Sequence, residues 1–125
     1  MTEKPIDFSI LTGLGAPVRE FKAGEAIFHE EDGADVMYII KSGNVELRLG
    51  NRLLETVSAN NIFGEMALID SAPRSATAIA ATDVQVVSVG EKQFAFLVSQ
   101  TPYFALNVMR VMARRLRAMN TTVWP

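Results

Sequence analysis

The strongest constraint on the fold is a series of short β-type segments between residues 18 and 89, with turn residues about every ten positions. Gly50-Asn51 is the tightest hairpin candidate, because both residue types tolerate positive φ. The segments are Val18–Phe21, Ala26–His29, Val36–Lys41, Val45–Leu49, Leu53–Val57, Ile62–Phe63, Ser75–Ala80 and Val84–Val89. Spacing of this kind predicts a mainly β fold, as an antiparallel roll, sandwich or barrel.

Beyond Gly90 the pattern becomes helical. It predicts a short helix over Glu91–Ser99 and a long helix from about Tyr103 to Asn120, with Pro102 tolerated in its first turn. At about 100° per residue, the long helix carries two apolar stripes. One contains Ala105, Met109, Met112, Leu116, Met119 and Val123, and the other contains Phe104, Val108 and Val111. One stripe can pack on the β segments, and the coiled-coil-like seam of the other favours a homodimer over a single broad core face.

Arg115 departs from this pattern because it lies on the apolar side of the long helix, beside Val108 and Val111. An arginine in such a place must extend to solvent, pair with a carboxylate or contact a polar ligand. Departures from a binary pattern are expected at functional sites, so Arg115 is a candidate functional residue.

Length and composition narrow the functional classes. A chain of 125 residues has the length of one domain, predicted over 1–125 with the β segments at about 18–89 and the helices at about 91–120. With no cysteine and only His29 as histidine, neither a disulfide nor a thiolate or imidazole metal cage is expected. The apolar runs are shorter than the roughly 20 residues of a membrane helix, and no secretion signal is recognised, so we expect a cytoplasmic protein.

The charge is distributed unevenly along the chain. Residues 1–91 hold seven Lys/Arg and all fourteen Asp/Glu, a net −7, whereas residues 92–125 hold five Lys/Arg and no acid, a net +5. A basic helix can contact nucleic acid or simply be solvated. Because the whole chain is acidic, a nucleic-acid partner is not expected.

The segment from Phe63 to Thr77 contains the main candidate ligand-binding residues. Gly64 permits a sharp turn or a close approach of backbone to a ligand, and Glu65–Ile69 is predicted as a short helical turn. Arg74 follows the stiff Pro73, with Ser75 beside it. A guanidinium with converging N–H groups suits a phosphate, and a carboxylate in the same loop suits a neighbouring hydroxyl donor such as a sugar.

These residues resemble the phosphate-binding cassette of the cyclic-nucleotide-binding domain family. The two matching segments are Phe63-Gly64-Glu65-Met66-Ala67-Leu68 and Pro73-Arg74-Ser75-Ala76-Thr77. Similar residues extend outward to Gly24, Met37–Ile40, Gly43 and Met112–Leu116, so the resemblance covers roughly Val18 to Asn120. It implies an eight-stranded antiparallel β-roll of the double-stranded jelly-roll type with flanking helices, which acts as a regulatory module in signal transduction.

The resemblance also implies roles for individual residues. Glu65 takes the ribose 2′-hydroxyl with help from the Gly64 backbone, and Arg74 takes the cyclic phosphate. The backbone N–H groups expected around the phosphate belong to Met66, Ala67, Ser75 and Ala76. The final helix is expected to close over the base, with Arg115 reaching the ligand. From their position about one turn past Arg115, Met119 and Asn120 are expected to cap the purine, and Leu47 and Leu54 are expected to line the base pocket. No catalytic residue, cofactor or metal is implied, and the effector is not specified.

The ligand implied is cAMP or cGMP. Ser75 favours cAMP, because family members that prefer cGMP frequently have threonine after the arginine. Two positions depart from the family pattern: Asn60 and Glu31 stand where glycine is usual. Asn60 is expected to keep the left-handed turn, and the shape of the loop around Glu31 is left open.

Three other functions are weighed against nucleotide binding. A cupin-type enzyme needs several histidines, and the sequence has no Gly-x-Ser-x-Gly elbow, so no enzyme is expected. A dimerising scaffold with a vestigial pocket conflicts with the presence of both Glu65 and Arg74. A DNA-associated module would use the arginines of the last helix.

Overall fold

The computed structural model of the protein describes residue 13 and residues 15–123, with side chains as far as residue 118. Within these residues eight strands are formed: β1 (Val18–Phe21), β2 (Ala26–Phe28), β3 (Met37–Ser42), β4 (Val45–Leu49), β5 (Arg52–Val57), β6 (Ile62–Phe63), β7 (Thr77–Ala80) and β8 (Val84–Val89). They form two four-stranded antiparallel sheets, in the orders β1-β8-β3-β6 and β2-β7-β4-β5. The predicted mainly β architecture with antiparallel strands and flanking helices is confirmed.

The helices are α1 (Glu65–Asp70), α2 (Glu91–Gln100) and α3 (Tyr103–Val123). The sequence pattern therefore places the starts of α2 and α3 correctly and ends them one and three residues early. Strand β7 starts at Thr77, two residues after the predicted Ser75. The assignment of residues 1–125 to one domain stays a prediction.

Strands β4 and β5 are joined by the predicted Gly50-Asn51 turn. Leu49 pairs with Arg52 across it, and Gly50 has a φ of 61°. Farther along the hairpin the register shifts, with Leu47 opposite Glu55 but Arg48 opposite Leu53. Leu54 is therefore the extra residue of a β-bulge.

Strand β3 organises the core because it is buried on both faces. Tyr38 and Ile40 join the cluster between the two sheets, whereas Met37 and Ile39 join a second cluster beneath the helices. The α3 residues Phe104 and Val108 are buried in that second cluster. The stripe of α3 that packs on the roll is thus Phe104, Val108 and Val111.

The other stripe of α3 remains largely on the surface. Met109 is 60% exposed and Leu116 is 52% exposed, while Met112 packs partly against the second core cluster. The side chains of Met119 and Val123 lie outside the described residues. Among the described side chains, the roll therefore covers the Phe104 stripe and leaves Met109 and Leu116 of the other stripe exposed.

Two non-glycine residues occupy the left-handed region at the positions where family members usually have glycine. Asn60 has a φ of 69°, which confirms the turn expected there, and Glu31 has a φ of 70°. The loop that holds Glu31 therefore keeps a glycine-like backbone conformation. Its shape is supported by hydrogen bonds from Glu31 N to Arg74 O and from Arg74 N to Asp32 O, each 2.9 Å.

Candidate functional site

The candidate site is built around Gly64 and the short helix α1. Gly64 adopts a left-handed conformation with a φ of 76° immediately before the helix. The backbone angle favours glycine, and a Cβ atom at this position would lie 2.5 Å from Nη1 of Arg74, so any other residue would displace the guanidinium. This turn places Glu65 at the start of α1, where its side chain is buried and the residue is only 3% exposed.

Arg74 is a buried cation, only 4% exposed, whose direct partners are neutral. Its Nη1 donates to the carbonyl oxygen of Gly64 and its Nη2 to that of Val36, both at 2.9 Å. The guanidinium carbon also lies 4.1 Å from the ring centroid of Phe28 and 5.5 Å from that of Tyr38. These contacts fix the side chain without neutralising its charge.

Electrostatics at Arg74 favour an incoming anion. Burial lowers the pKa of Arg74, and nearby Tyr38, Glu65 and Asp32 only partly oppose this effect. Within the described residues Arg74 forms no ion pair with a carboxylate. A buried charge without an opposite charge is costly, so the position of this guanidinium suits an anionic partner.

The backbone N–H groups predicted to accompany Arg74 lie on both sides of it. Met66 and Ala67 belong to the first turn of α1, where N–H groups have no partner within the helix. Ser75 and Ala76 connect Arg74 to β7. The structure thus brings the two halves of the sequence motif together, since Arg74 reaches back to Gly64 over ten residues of chain.

Arg115 joins helix α3 to the same site through two carboxylates. Its Nη1 donates to Oε1 of Glu65, and its Nε donates to Oε1 of Glu55 at 3.0 Å. Its Nη2 donates to the carbonyl oxygen of Ile62 at 2.9 Å and more weakly to Oε2 of Glu55 at 3.4 Å. The sequence left three possibilities for Arg115: extension to solvent, pairing with a carboxylate or contact with a polar ligand. The structure shows pairing with carboxylates.

The pKa values of this ionic cluster follow from its geometry. Burial would lower the pKa of Arg115, but its hydrogen bonds and charge interactions with Glu55 and Glu65 outweigh burial and raise it. Burial would raise the pKa of Glu55, but Arg115 and Arg114 outweigh burial and hold it below its ordinary value. Arg114 contributes through a 3.0 Å hydrogen bond from Nη1 to Oε2 of Glu55. Glu55 and Arg115 therefore stabilise each other's charged form.

A sequence model of the family described as "Cyclic nucleotide-binding domain" matches residues 18–101, two thirds of the chain. The chain belongs to this family. The membership inferred from the cassette residues is thereby confirmed, and the chain is a cyclic nucleotide-binding regulatory domain.

Individual relatives agree with this assignment. A CRP-like cAMP-activated global transcriptional regulator of Mycobacterium tuberculosis is 32% identical over 127 aligned positions, which cover 96% of this chain and 55% of that protein. A cGMP-dependent protein kinase of Toxoplasma gondii is 40% identical over 75 residues, 60% of this chain and 8% of the kinase. The crystal structure of the Thermus thermophilus catabolite activator protein superposes with a TM-score of 0.75 at 29% identity, over 90% of this chain and 55% of that one. The chain thus spans about half the length of its bacterial relatives.

The other predicted site residues are placed as follows. Leu47 is buried in the core between the sheets, directly opposite Glu55 on the neighbouring strand. Leu54 is exposed and is the extra residue of the β-bulge in β5. Met119 and Asn120 belong to α3, but their side chains lie outside the described residues. The contacts of individual residues with a ligand stay predictions.

Two parts of the site were not predicted from the sequence. One is Glu55, whose signal is its position in β5: it lies two residues before buried Val57, on the strand face that points to the core. The other is the group of rings formed by Phe28, Tyr38 and Phe63, with centroids 5.2–6.1 Å apart, in which Tyr38 stacks on both phenylalanines. Arg74 lies over the rings of Phe28 and Tyr38. Phe63 belongs to the predicted cassette and Tyr38 to the wider resemblance, but their contact with each other and with Phe28 was not predicted.

Within the described part of the chain, no helix is long and apolar enough to cross a membrane. The same residues contain no group of three or more His, Asp or Glu side chains arranged to hold a metal ion.

Proposed function

We propose that this domain binds a 3′,5′-cyclic nucleotide, with cAMP preferred, and acts as a sensor whose C-terminal helix α3 closes over the ligand. The observation that carries the proposal is that two buried groups lie on either side of Gly64: the Arg74 guanidinium, which has no carboxylate partner among the described residues, and the Glu65 carboxylate. A cyclic phosphate fused to a ribose offers an anion for the first group and a neighbouring hydroxyl for the second. The vestigial-scaffold alternative gives no reason for keeping a buried cation with neutral partners.

The preference for cAMP rests on Ser75, the residue after the phosphate-binding arginine. Family members that prefer cGMP frequently have threonine at this position, and the serine here resembles the cAMP-binding activators. The relatives include proteins named for each nucleotide, so the ligand is proposed from this residue alone.

Ligand-dependent thermal stability tests the proposal. A nucleotide that binds only the folded chain stabilises it by about 2.7 kcal/mol at a concentration one hundred times its Kd, which raises the midpoint by several degrees. We expect cAMP to produce such a shift, cGMP a smaller one, and 5′-AMP, which lacks the cyclic phosphate, little or none. A larger shift with cGMP would overturn the cAMP preference, and no shift with either cyclic nucleotide would favour the scaffold.

Closure of α3 is supported by Arg115, which ties the helix to the proposed ribose-binding carboxylate. Because ligand and helix share Glu65, binding of the ligand is expected to favour the closed arrangement. Backbone amides of residues 112–118 should therefore exchange hydrogen more slowly with cAMP bound. Equal exchange with and without cAMP would mean that the helix does not respond to the ligand.

A homodimer through α3 is proposed from the uncovered stripe that includes Met109 and Leu116. A Met109→Glu, Leu116→Glu double variant should sediment as a monomer at concentrations where the unaltered chain is a dimer, because charge is unfavourable in an apolar seam. The matched control is Leu49→Glu, Leu53→Glu, which changes exposed apolar residues of the β4–β5 hairpin. A monomeric unaltered chain would contradict the proposal.

The proposed role is regulatory rather than catalytic, in the cytoplasm, with an effector that is unidentified. The relatives named as a transcriptional regulator and as protein kinases make nucleic acid and kinases the partner classes to examine first. The expectation against a nucleic-acid partner, drawn from the acidic balance of the chain, is weakened by the transcriptional regulator and stays a prediction.

A further inference from the structure

Glu55 is a carboxylate on the core-facing side of a strand. In β5 it lies opposite Leu47, and residues directly opposite each other in an antiparallel pair share a sheet face. Leu47 is buried in the core between the sheets, and the next inward position, Val57, is buried as well. The Glu55 side chain is only 21% exposed. A charged residue at such a position requires a specific partner.

That partner is the guanidinium of Arg115, and the two form a closed ionic cluster with Arg114 and Glu65. The cluster contains two cations and two anions, so it is neutral before any ligand arrives. Arg115 is 15% exposed and divides its donors: Nη1 goes to Glu65, while Nε and Nη2 go to Glu55 and to the Ile62 carbonyl.

This division of donors determines how many carboxylate oxygens of Glu65 accept a hydrogen bond from Arg115. An arginine left alone with a carboxylate tends to form a bidentate fork that takes both oxygens. Here Arg115 contacts Oε1 of Glu65, because its other donors are held by Glu55 and Ile62. Oε2 of Glu65 is therefore not taken by the fork and can accept a hydrogen bond from another donor.

We propose that Glu55 is a positioning residue for Glu65: by holding Nε and Nη2 of Arg115, it prevents a bidentate Arg115–Glu65 pair and keeps Oε2 of Glu65 available for the ribose 2′-hydroxyl. The inference rests on the proposed function. It assigns to β5 a part in ribose recognition that requires no contact between Glu55 and the nucleotide.

The test compares cAMP with 2′-deoxy-cAMP by titration calorimetry. The unaltered chain should prefer cAMP by about tenfold, the effect of one hydrogen bond to a charged group. In Glu55→Gln, a neutral amide no longer competes for the guanidinium, and this preference should fall at least threefold, mainly through weaker cAMP binding. The matched control is Glu46→Gln on β4, which removes a carboxylate paired with Arg48 and should keep the preference.

If Glu55 had only a structural role, Glu55→Gln would weaken the binding of cAMP and of 2′-deoxy-cAMP equally. The ratio of the two affinities therefore distinguishes a structural role from a positioning role. In an Arg115→Ala background, Glu55→Gln should leave the ratio unchanged, because the residue acts through Arg115. Glu55→Asp, which keeps the charge but shortens its reach, should lower the ratio by less than Glu55→Gln and provides a second variant if the first folds poorly.

The possible results distinguish failure of the positioning role of Glu55 from failure of cyclic-nucleotide binding. If the unaltered chain prefers cAMP and both Glu55 variants retain that preference in full, the positioning role is wrong and the proposed function stands. If the unaltered chain binds neither cyclic nucleotide, the proposed function fails and the inference fails with it.

Discussion

Replacing Arg74 by alanine is expected to weaken cAMP binding at least tenfold while the fold survives. A charge-assisted hydrogen bond contributes roughly 1.5–3 kcal/mol, and a phosphate left unpaired in the site costs more. The variant loses the hydrogen bonds to the Gly64 and Val36 carbonyls, but it also removes a buried cation whose partners are neutral, so the two effects on folding oppose each other. Calorimetry gives the affinity, and far-UV circular dichroism gives the fold.

Arg48→Ala is the matched control for this prediction. Arg48 also lies in the roll, but it is paired with Glu46 on the same strand and belongs to neither half of the cassette. Its removal should leave the affinity for cAMP within about twofold, since Arg48 is held by Glu46 and belongs to neither half of the cassette. An Arg74→Ala variant that binds as well as this control would contradict the assignment of the phosphate to Arg74.

Replacing Arg115 by alanine is expected to lower the free energy of unfolding by about 3 kcal/mol at neutral pH. The change leaves two carboxylates, Glu55 and Glu65, without the cation that lies between them, and breaking a buried pair on one side typically costs 3–5 kcal/mol. We expect a cost at the lower end of this range because Glu55 retains its ion pair with Arg114. Arg110→Ala, which removes an exposed α3 arginine bonded to the Tyr103 hydroxyl, is the control and should cost less than about 1 kcal/mol.

The same variant should respond differently to acid. The pKa of Glu55 lies below its ordinary value of 4.5 in the folded chain, so the stabilisation it provides is present above about pH 4.5 and is lost as the pH falls through the folded value. In Arg115→Ala most of this stabilisation is already gone. Urea unfolding of the two proteins at pH 7 and at about pH 3 should therefore show a smaller difference in acid, and a difference independent of pH would contradict the ionic account of Arg115.

The fold was largely predictable because its determinants are local. Each strand is a short apolar segment bounded by turn residues, and the Gly50-Asn51 turn fixes a hairpin by its own conformational freedom. The cassette was predictable for a similar reason: Gly64, Glu65 and Arg74 lie within eleven consecutive residues, so their chemistry is visible as one motif. The helical periodicity of the last helix likewise showed that Arg115 lies on its apolar side.

What the sequence did not reveal are contacts between distant segments. Glu55 and Arg115 are 60 residues apart, and the alternation of β5 marks Glu55 as inward only once its register with β4 is known. The sequence also did not reveal which of the two α3 stripes packs on the roll, because both stripes are apolar. Contacts with distant segments bury Phe104 and Val108. The exposure of Leu54 depends on a register shift at the β-bulge that the sequence does not display, and its place in the base pocket stays a prediction.

Titration calorimetry of the unaltered chain with cAMP and with cGMP, and with 5′-AMP as the control ligand, tests the central claim most directly. The account predicts one cAMP site per chain, with little or no heat from 5′-AMP, because the proposed site recognises a cyclic phosphate and a ribose hydroxyl together. Absence of saturable binding by cAMP and by cGMP would contradict the account, whatever the Arg74 and Arg115 variants show.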